Sequence, residues 1–237
     1  MRIAHLIPHG VHPYSGLLAS IVGGALALAR HGAQVEIWGF RDVVSGDGDL
    51  ALLPAAAENL TIREMPEPGS RLKLGSYFVD LLHQFSDQIE IVHIHGVFSP
   101  ANNRIARQLR VPYVVSPHGG YAAGTMAYHH VRKRVFLTVL DRPMLDRAAV
   151  VCSLTQQEST DVRALGYGGP LAIAPNGVNP APDNLNRQAL RSELGLDRNV
   201  PLAVYAGRID VRQKRLDVMV NALRGNSWHL ALLGGDF

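Results

Sequence analysis

The segment around Gly207 and Arg208 combines residue types that can bind a diphosphate. Arg208 follows a predicted strand, Leu202–Ala206, and Lys214 opens a predicted helix, Lys214–Leu223. A guanidinium can donate to two phosphate oxygens at once, a lysine adds a point charge, and a helix N-terminus adds a partial positive charge. A basic surface that faces solvent explains the same residues equally well. The spacing therefore leaves two interpretations open, a diphosphate site and a solvated basic face.

A second pair of candidates, His118 and Gly119, comes directly after the predicted strand Pro112–Ser116. Open parallel sheets bind ligands at the carboxyl ends of their strands, and polar loop residues at these ends commonly form the site. The alternative is a histidine that only stabilises a turn by bonding to the backbone. The position at a strand end favours a ligand-binding role for His118.

Ser15 and Gly16 stand between the predicted strand Arg2–Ile7 and the predicted helix Gly16–His31. A glycine lets a ligand approach the backbone, and the N-terminus of the following helix attracts anions. The motif G-x-G-x-x-G is absent from the sequence, which disfavours a dinucleotide cofactor. A tight turn without a ligand is equally consistent with these residues.

His93 and His95 alternate along the predicted strand Ile89–His95 and therefore point to the same face of the sheet. Three further histidines near the N-terminus could join them in a metal site: His5, His9 and His12. Carboxylate and cysteine ligands at matching spacing are missing, so we expect no metal and no other cofactor. We expect instead that one histidine packs in the core and that His95 reaches a cleft.

The composition is typical of a globular α/β protein. The chain has 237 residues, of which 47% are hydrophobic and 18% charged, and this balance excludes intrinsic disorder. The formal charge is +3 and only 6% of the residues are aromatic, so we do not expect a nucleic-acid partner. The single cysteine, Cys152, excludes a disulfide framework and points to the cytoplasm.

Short β-branched segments alternate with amphipathic ones along the chain, which predicts a Rossmann-like parallel sheet with helices on both faces. We predict this domain for residues 1–175, followed by a linker and a helix over residues 176–198. A second β/α pattern restarts over residues 199–237 and is too short to form a core of its own. We therefore expect the truncated start of a second Rossmann-like domain.

A long basic helix is predicted over Tyr128–Arg147, with a kink or an interruption at Pro143. Its positive charges are interspersed with apolar residues, among them Val131, Val135 and Val139. An apolar stripe with flanking cations can lie on an anionic membrane surface. An ordinary amphipathic surface helix is the alternative, and we favour it.

Together these segments resemble the retaining glycosyltransferases of family 4, whose GT-B architecture consists of two facing Rossmann-like domains. The matching segments are Pro13–Gly16, Val92–Gly96, Val115–Gly119, Ala174–Val178, and Gly207 and Arg208 with Lys214. Their order and spacing cover nearly the whole chain. Pro112–Gly120 and the helix that runs to Glu158 look most like bacterial enzymes that build exopolysaccharide or lipopolysaccharide.

The resemblance implies a role for each matching residue. Gly16 would lie against the diphosphate of a nucleotide-sugar donor, and His118 would contact the transferred sugar. Arg208 and Lys214 would hold the diphosphate and stabilise the charge that grows on the leaving group. The catalytic residues would thus be His118, Arg208 and Lys214. The residues that bind donor or acceptor would be Ser15, Gly16, His95, Gly119, Asn176 and Gly207.

The sequence departs from the family pattern at three places. Ser15 stands where the family commonly has the first of two glycines, and Arg215 replaces the glycine that usually follows the lysine. The family's E-x7-E motif, which grips the sugar and ribose of the donor, would lie beyond residue 237. A large part of the expected donor site is therefore missing, and we expect the 237 residues alone to be inactive.

The resemblance implies transfer of a sugar from a nucleotide-diphosphate sugar to a glycan or lipid-linked acceptor, with retention, in cell-surface polysaccharide synthesis. We expect a cytoplasmic protein, held at the inner face of the membrane if the basic helix binds lipid. The alternative is a non-catalytic protein that binds an acceptor and a partner chain, since an unfinished second sheet has an edge to cover. A nucleotide-sugar epimerase would fit the fold equally well.

Overall fold

The computed structural model describes residues 1–11, 15–40, 57–67, 74–178, 186 and 188–234. The chain divides into two compact units, Met1–Asn179 and Pro180–Phe237. The sequence-predicted candidates His12 and Pro13–Tyr14, and most of the linker rich in Pro and Asn, lie outside the described residues.

The first unit contains a seven-stranded sheet in which each neighbouring pair of strands is parallel. The strands are β1 Arg2–Leu6, β2 Gln34–Phe40, β3 Leu60–Met65, β4 Ile91–His95, β5 Tyr113–Ser116, β6 Val150–Ser153 and β7 Leu171–Ile173. Their order across the sheet is β3-β2-β1-β4-β5-β6-β7, so the direction of winding reverses between β1 and β4. The predicted Rossmann-like parallel sheet is confirmed.

Helices connect these strands, and three of the described helices begin at side-chain caps. In the described part of this unit they are α1 Gly16–Arg30, α2 Ser76–Ser86, α3 Pro100–Gln108, α4 Ala123–Ala127, α5 His130–Phe136, α6 Arg142–Arg147 and α7 Gln156–Ala164. Ser15, Ser99 and Thr155 each accept a hydrogen bond from the backbone N–H three residues on, which stabilises the starts of α1, α3 and α7. Among the described helices of the chain, none is long and apolar enough to span a bilayer.

The central strands of the sheet are buried on both faces, and their alternate residues pack on opposite sides. On β2, Val35 and Ile37 belong to the core cluster that includes α1, whereas Trp38 and Phe40 belong to the larger cluster on the other face. The central strands follow the same alternation, since Ala4 and Leu6 of β1 and Val92 and Ile94 of β4 all lie in the larger cluster. The residues between them, which include the histidines of both strands, therefore occupy the opposite face.

The predicted helix Tyr128–Arg147 is divided in the structure. His129 has a left-handed backbone with a φ of 54°, which separates α4 from α5. A π-helical turn, Leu137–Asp141, then joins α5 to α6, and Pro143 lies in the first turn of α6. The interruption predicted at Pro143 thus falls just before it, because proline fits the first turn of a helix but has no N–H to donate to the preceding turn.

Where the structure describes the second unit, two strands pair in parallel, β8 Leu202–Ala206 and β9 His229–Leu233. Its helices within the described residues are α8 Ala189–Glu193, α9 Val211–Lys214 and α10 Leu216–Leu223. The prediction that Lys214 opens a helix is wrong, because Lys214 ends α9. Arg215 has a φ of 53°, and a left-handed residue cannot continue a right-handed helix, so α10 begins one residue later.

Candidate active site

A cleft of about 600 Å³ opens at the carboxyl ends of the central strands of the first unit. The loops after β1, β4 and β5 line it, together with Glu67 after β3 and the first turns of α1 and α3. Because the winding reverses between β1 and β4, the loops after these two strands lead in opposite directions and leave a crevice between them. The cleft therefore lies where open parallel sheets bind their ligands.

His118 lies in the wall of this cleft, just after β5. Its backbone is left-handed, with a φ of 52°, and Gly119 follows with a φ of 75°. The His118 ring bonds to the ring of His95, with 2.9 Å between Nε2 of His118 and Nδ1 of His95. Burial lowers the pKa of His118, and the nearby carboxylate of Glu158 opposes that shift. The His118 side chain is therefore held by another side chain and not by the backbone of its turn.

Glu158, which is buried at the start of α7, holds the loop that carries His118. Its two carboxylate oxygens accept hydrogen bonds of 2.6 Å from the backbone N–H groups of Gly119 and Leu154. Thr155 and Glu158 have the spacing of a capping box, and Thr155 Oγ does accept from the N–H of Glu158. The predictions from sequence did not include this role of Glu158, although the capping-box spacing marks it as a residue with a backbone partner.

Asp141, in the π-helical turn, is fully buried and ties together two loops of the cleft. Its carboxylate accepts hydrogen bonds from Phe98 N at 3.1 Å, Asn103 Nδ2 at 2.9 Å and Tyr121 Oη at 3.0 Å. Burial raises the pKa of Asp141, while these three donors favour its charged form and act against the rise. Two of the donors, Phe98 and Tyr121, belong to the loops after β4 and β5, so one carboxylate fixes both loops.

A group of histidines lies beneath His118, on one face of β1 and β4. Nδ1 of His5 lies 2.9 Å from Nε2 of His95, and Nε2 of His93 lies 2.8 Å from Ser116 Oγ. Burial lowers the pKa of His5 to about 4 and that of His93 to about 3, and it holds the pKa of His95 well below the usual range. The three rings are therefore neutral at neutral pH.

The expectation that His95 reaches the cleft is wrong. Its side chain is buried, and it meets the cleft only through its hydrogen bond to His118. One nitrogen from each of His5, His93 and His95 can be chosen so that all three lie within 4.8 Å of one another, so these rings could hold a metal ion. The bond between His5 and His95 already uses one nitrogen of each ring.

Ser15 and Gly16 form the start of α1. Ser15 Oγ accepts a hydrogen bond of 3.1 Å from Leu18 N, so this serine has a structural role as a helix cap. A Cβ added at Gly16 would meet no atom within 4 Å, which leaves open space beside the first turn. The side chain of Leu17, the next residue, lines the cleft. Gly16 therefore lies next to the cleft with its backbone accessible.

The remaining sequence-predicted residues are exposed. Asn176 lies in the segment after β7 at the end of the first unit. In the second unit, Gly207 and Arg208 follow β8 as predicted, and Lys214 is exposed at the end of α9. Arg208 Nη2 lies 3.5 Å from a carboxylate oxygen of Asp210. The structure thus brings His95, His118 and Gly119 together in one unit, whereas both predicted diphosphate-binding cations belong to the other.

A sequence profile of the glycosyl transferase 4-like domain matches residues 15–177, which is more than half of the chain. The chain belongs to the glycosyl transferase 4-like domain family. The matched segment contains His95, His118 and both carboxylates that hold the loops of the cleft.

Several longer proteins resemble this member of the glycosyl transferase 4-like domain family over nearly all of its length. D-inositol 3-phosphate glycosyltransferase from Xylanimonas cellulosilytica is 27% identical over 265 residues, which cover 99% of this chain and 63% of that protein. Sucrose-phosphate synthase from Thermosynechococcus elongatus has a TM-score of 0.72 at 18% identity and covers 99% of this chain and 62% of that one. Arabidopsis thaliana UGT89C1, complexed with UDP, has a TM-score of 0.59 at 13% identity and covers 99% and 66%. These structures confirm the Rossmann-like fold of GT-B proteins, and the chain spans less than two thirds of each relative.

Replacing Glu158 with alanine should destabilise the first unit by about 2–4 kcal/mol, because two backbone N–H groups lose their charged acceptor. The control Asp80→Ala removes an exposed carboxylate of α2 and should change the free energy of unfolding by less than about 0.5 kcal/mol. Urea unfolding, followed through the fluorescence of Trp38 in a Trp228→Phe background, measures both. Equal stability of Glu158→Ala and the parent would contradict the role of Glu158.

The free energy of unfolding should fall as the pH drops from 6.5 toward 4. Because burial holds the pKa of His5 at about 4 in the folded chain, against an ordinary value of 6.5, the unfolded chain binds more protons in this window. His5→Phe should remove a slope of roughly 1.4 kcal/mol per pH unit. The control His31→Phe replaces an exposed histidine and should keep the parent slope. Urea unfolding at several pH values measures it, and an unchanged slope in His5→Phe would refute the assignment.

Proposed function

We propose that this chain is the acceptor-binding domain and the start of the donor-binding domain of a retaining glycosyltransferase. Its donor is a nucleotide-diphosphate sugar, and its acceptor is a glycan or lipid-linked sugar of a cell-surface polysaccharide. The observation that carries the proposal is the cleft at the reversal of strand order, with His118 in its wall. The family match and the UDP in the similar UGT89C1 structure support a nucleotide-sugar donor.

The side chains that line the cleft do not favour covalent catalysis of the glycosidase type. Among the described residues that line the cleft, Glu67 supplies the carboxylate, and its Oε2 lies 3.2 Å from Nε2 of His9. Covalent catalysis of the glycosidase type uses two carboxylates that flank the scissile bond. We therefore propose that the acceptor hydroxyl attacks the sugar from the same face that the diphosphate leaves. The leaving phosphate takes the proton of the acceptor hydroxyl.

In this proposal, cationic side chains stabilise the charge that grows on the leaving diphosphate. Arg208 donates to two phosphate oxygens and Lys214 adds a point charge. Gly207, with a φ of 149°, has a backbone that only glycine adopts easily. The cations supply the electrostatic stabilisation, so the proposed reaction has no metal and no cofactor.

His118→Ala in the complete enzyme should lower kcat about 100-fold, because a hydrogen-bonding group aimed at the reacting sugar is lost. Release of nucleoside diphosphate from nucleotide sugars, measured with and without acceptor, reports the reaction. The control His31→Ala lies at the C-terminal end of α1, away from the cleft, and should keep the parent kcat.

Three outcomes of this assay decide the proposal. Release that depends on an acceptor, and that falls in His118→Ala alone, supports the transferase. A changed sugar that is still attached to its nucleotide, with no net release of nucleoside diphosphate, would show epimerisation instead. Equal turnover of His118→Ala and the parent would remove His118 from the site.

The 237 residues by themselves should bind nucleotide sugars weakly. Micromolar affinity for a nucleotide sugar in calorimetry would contradict this expectation.

We also propose that the protein is cytoplasmic and that α5 and the π-helical turn contact an anionic membrane. Val131, Val135 and Val139, spaced four residues apart, are 63%, 59% and 58% exposed. Arg132 and Arg134 are exposed on the same segment, and the sequence has no acidic residue between Ala123 and Leu140. An exposed apolar stripe with only positive charges around it matches the surface of an anionic bilayer. Such contact would bring the cleft to lipid-linked acceptors.

Val131→Asp combined with Val135→Asp should weaken binding to phosphatidylglycerol vesicles about tenfold or more, because two apolar contacts are replaced by charges that the surface repels. Co-flotation of the 237-residue chain with vesicles measures the effect. The control Tyr77→Asp changes a side chain of α2 that is 70% exposed and should bind like the parent. Equal binding to phosphatidylcholine vesicles, or no loss in the double variant, would contradict the membrane contact.

A partner chain on the second unit is a second candidate, favoured by the apolar side chains that this unit exposes. Val204 and Leu232, on the two strands, are 48% and 42% exposed, and Trp228 is 51% exposed. Large apolar side chains grouped on one small unit commonly mark an interface. In this alternative, the chain binds an acceptor and a partner without catalysing transfer itself.

A further inference from the structure

Three imidazoles form a continuous hydrogen-bonded chain that starts inside the sheet and ends at the cleft. His5 Nδ1 lies 2.9 Å from His95 Nε2, and His95 Nδ1 lies 2.9 Å from His118 Nε2. The ring centroids are 5.2 Å and 5.1 Å apart, with angles of 15° and 36° between the ring planes. Each centroid separation is close to the nitrogen–nitrogen distance plus one ring radius at either end. The rings therefore meet edge to edge, which is the geometry of a hydrogen bond and not of stacking.

The two ends of this chain differ. At the inner end, His5 Nε2 is buried and has no hydrogen-bond partner. At the outer end, His118 lines the cleft, and because its Nε2 is bonded to His95, its Nδ1 is the nitrogen left for water or a ligand. Burial keeps all three rings neutral at neutral pH, so each ring carries one proton.

With one proton on each ring, the chain has two possible directions. In the outward direction, His5 Nδ1 donates to His95, His95 Nδ1 donates to His118, and the unpartnered His5 Nε2 is a bare lone pair. In the inward direction, every proton moves to the other nitrogen, and His5 Nε2 becomes a buried N–H without an acceptor. Among buried backbone groups, an N–H without a partner is rarer than an acceptor that lacks one, and we extend this preference to the imidazole ring. The outward direction is therefore the stable one.

We propose that His95, supported by His5, is a positioning residue that fixes His118 in the tautomer protonated at Nδ1. His118 then presents an N–H donor to the cleft, suited to an oxygen of a sugar hydroxyl or a phosphoryl group. In this tautomer Nδ1 of His118 carries a proton and Nε2 accepts from His95, so neither nitrogen can take the proton of an acceptor hydroxyl. The catalytic meaning of this arrangement rests on the proposed function, whereas the tautomer itself does not.

The tautomer is measured by nitrogen-15 NMR of the histidine rings in the 237-residue chain. We expect His118 protonated at Nδ1 and unprotonated at Nε2. His95→Asn keeps an N–H donor near the place of the original Nδ1 and should keep this state, whereas His95→Phe removes the donor and should release it. The control His93→Phe alters a neighbouring ring of the same strand, bonded to Ser116 and outside the chain of imidazoles, and should leave His118 unchanged.

Two results would overturn the proposal. One is His118 protonated at Nε2 in the parent chain, a reading that does not depend on whether any variant folds. The other is one equivalent of tightly bound zinc in the purified protein, because a metal held by His5, His93 and His95 would replace the proton between His5 and His95.

The same variants in the complete enzyme separate this inference from the proposed function. His95→Phe should lower kcat about 100-fold, and His95→Asn should restore most of it, since the donor that sets the tautomer is back in place. If His118 has the expected tautomer but the complete enzyme transfers no sugar, only the proposed function is refuted. Transfer that is indifferent to both His95 variants would refute the positioning role alone.

Discussion

Two buried carboxylates hold the loops from which the candidate site is made. The backbone N–H groups of Phe98, Gly119 and Leu154 lie beyond the ends of β4, β5 and β6, where no strand neighbour can accept from them. Asp141 and Glu158 supply the missing acceptors from the helical side of the unit. Since a backbone N–H without a partner is costly when buried, each carboxylate fixes a loop conformation and not only a contact. The left-handed backbone of His118 is stable because its surroundings are fixed in this way.

The histidines are placed by the sheet itself. His5 and His93 are register partners on adjacent parallel strands, and His95 follows two residues later on the same face. Buried parallel strands are usually apolar on both faces, so polar rings at these positions need partners within the sheet or just above it. Ser116 and His118, at and after the end of β5, provide them. The region near the reversal of strand order therefore carries polar groups that the rest of the core does not contain.

The sequence predicts most of the fold because its cues are local. Alternating apolar segments, capping serines and glycines locate the strands and helices of the first unit, and strand-end loops locate the cleft. The contacts of Asp141 with Phe98 and of Glu158 with Gly119 span 43 and 39 residues, and no local pattern encodes them. The sequence does not locate Lys214 correctly, because a lysine fits either end of a short helix and the left-handed Arg215 has no sequence signature. The sequence predicts His95 at the cleft, because alternation along a strand shows which face of the sheet a residue lies on and not how deeply its side chain is buried.

The π-helical turn Leu137–Asp141 shifts the phase of the helix by adding a residue to one turn. Its outward side carries Val139, in line with the exposed valines of α5, and its inward side carries the carboxylate of Asp141 beneath the cleft. The rotation of this turn about the helix axis therefore positions both the exposed valines and the buried carboxylate of Asp141. A deletion or insertion of a single residue here would rotate α5 against α6 and misalign both at once, so the length of this segment is constrained as well as the identity of Asp141.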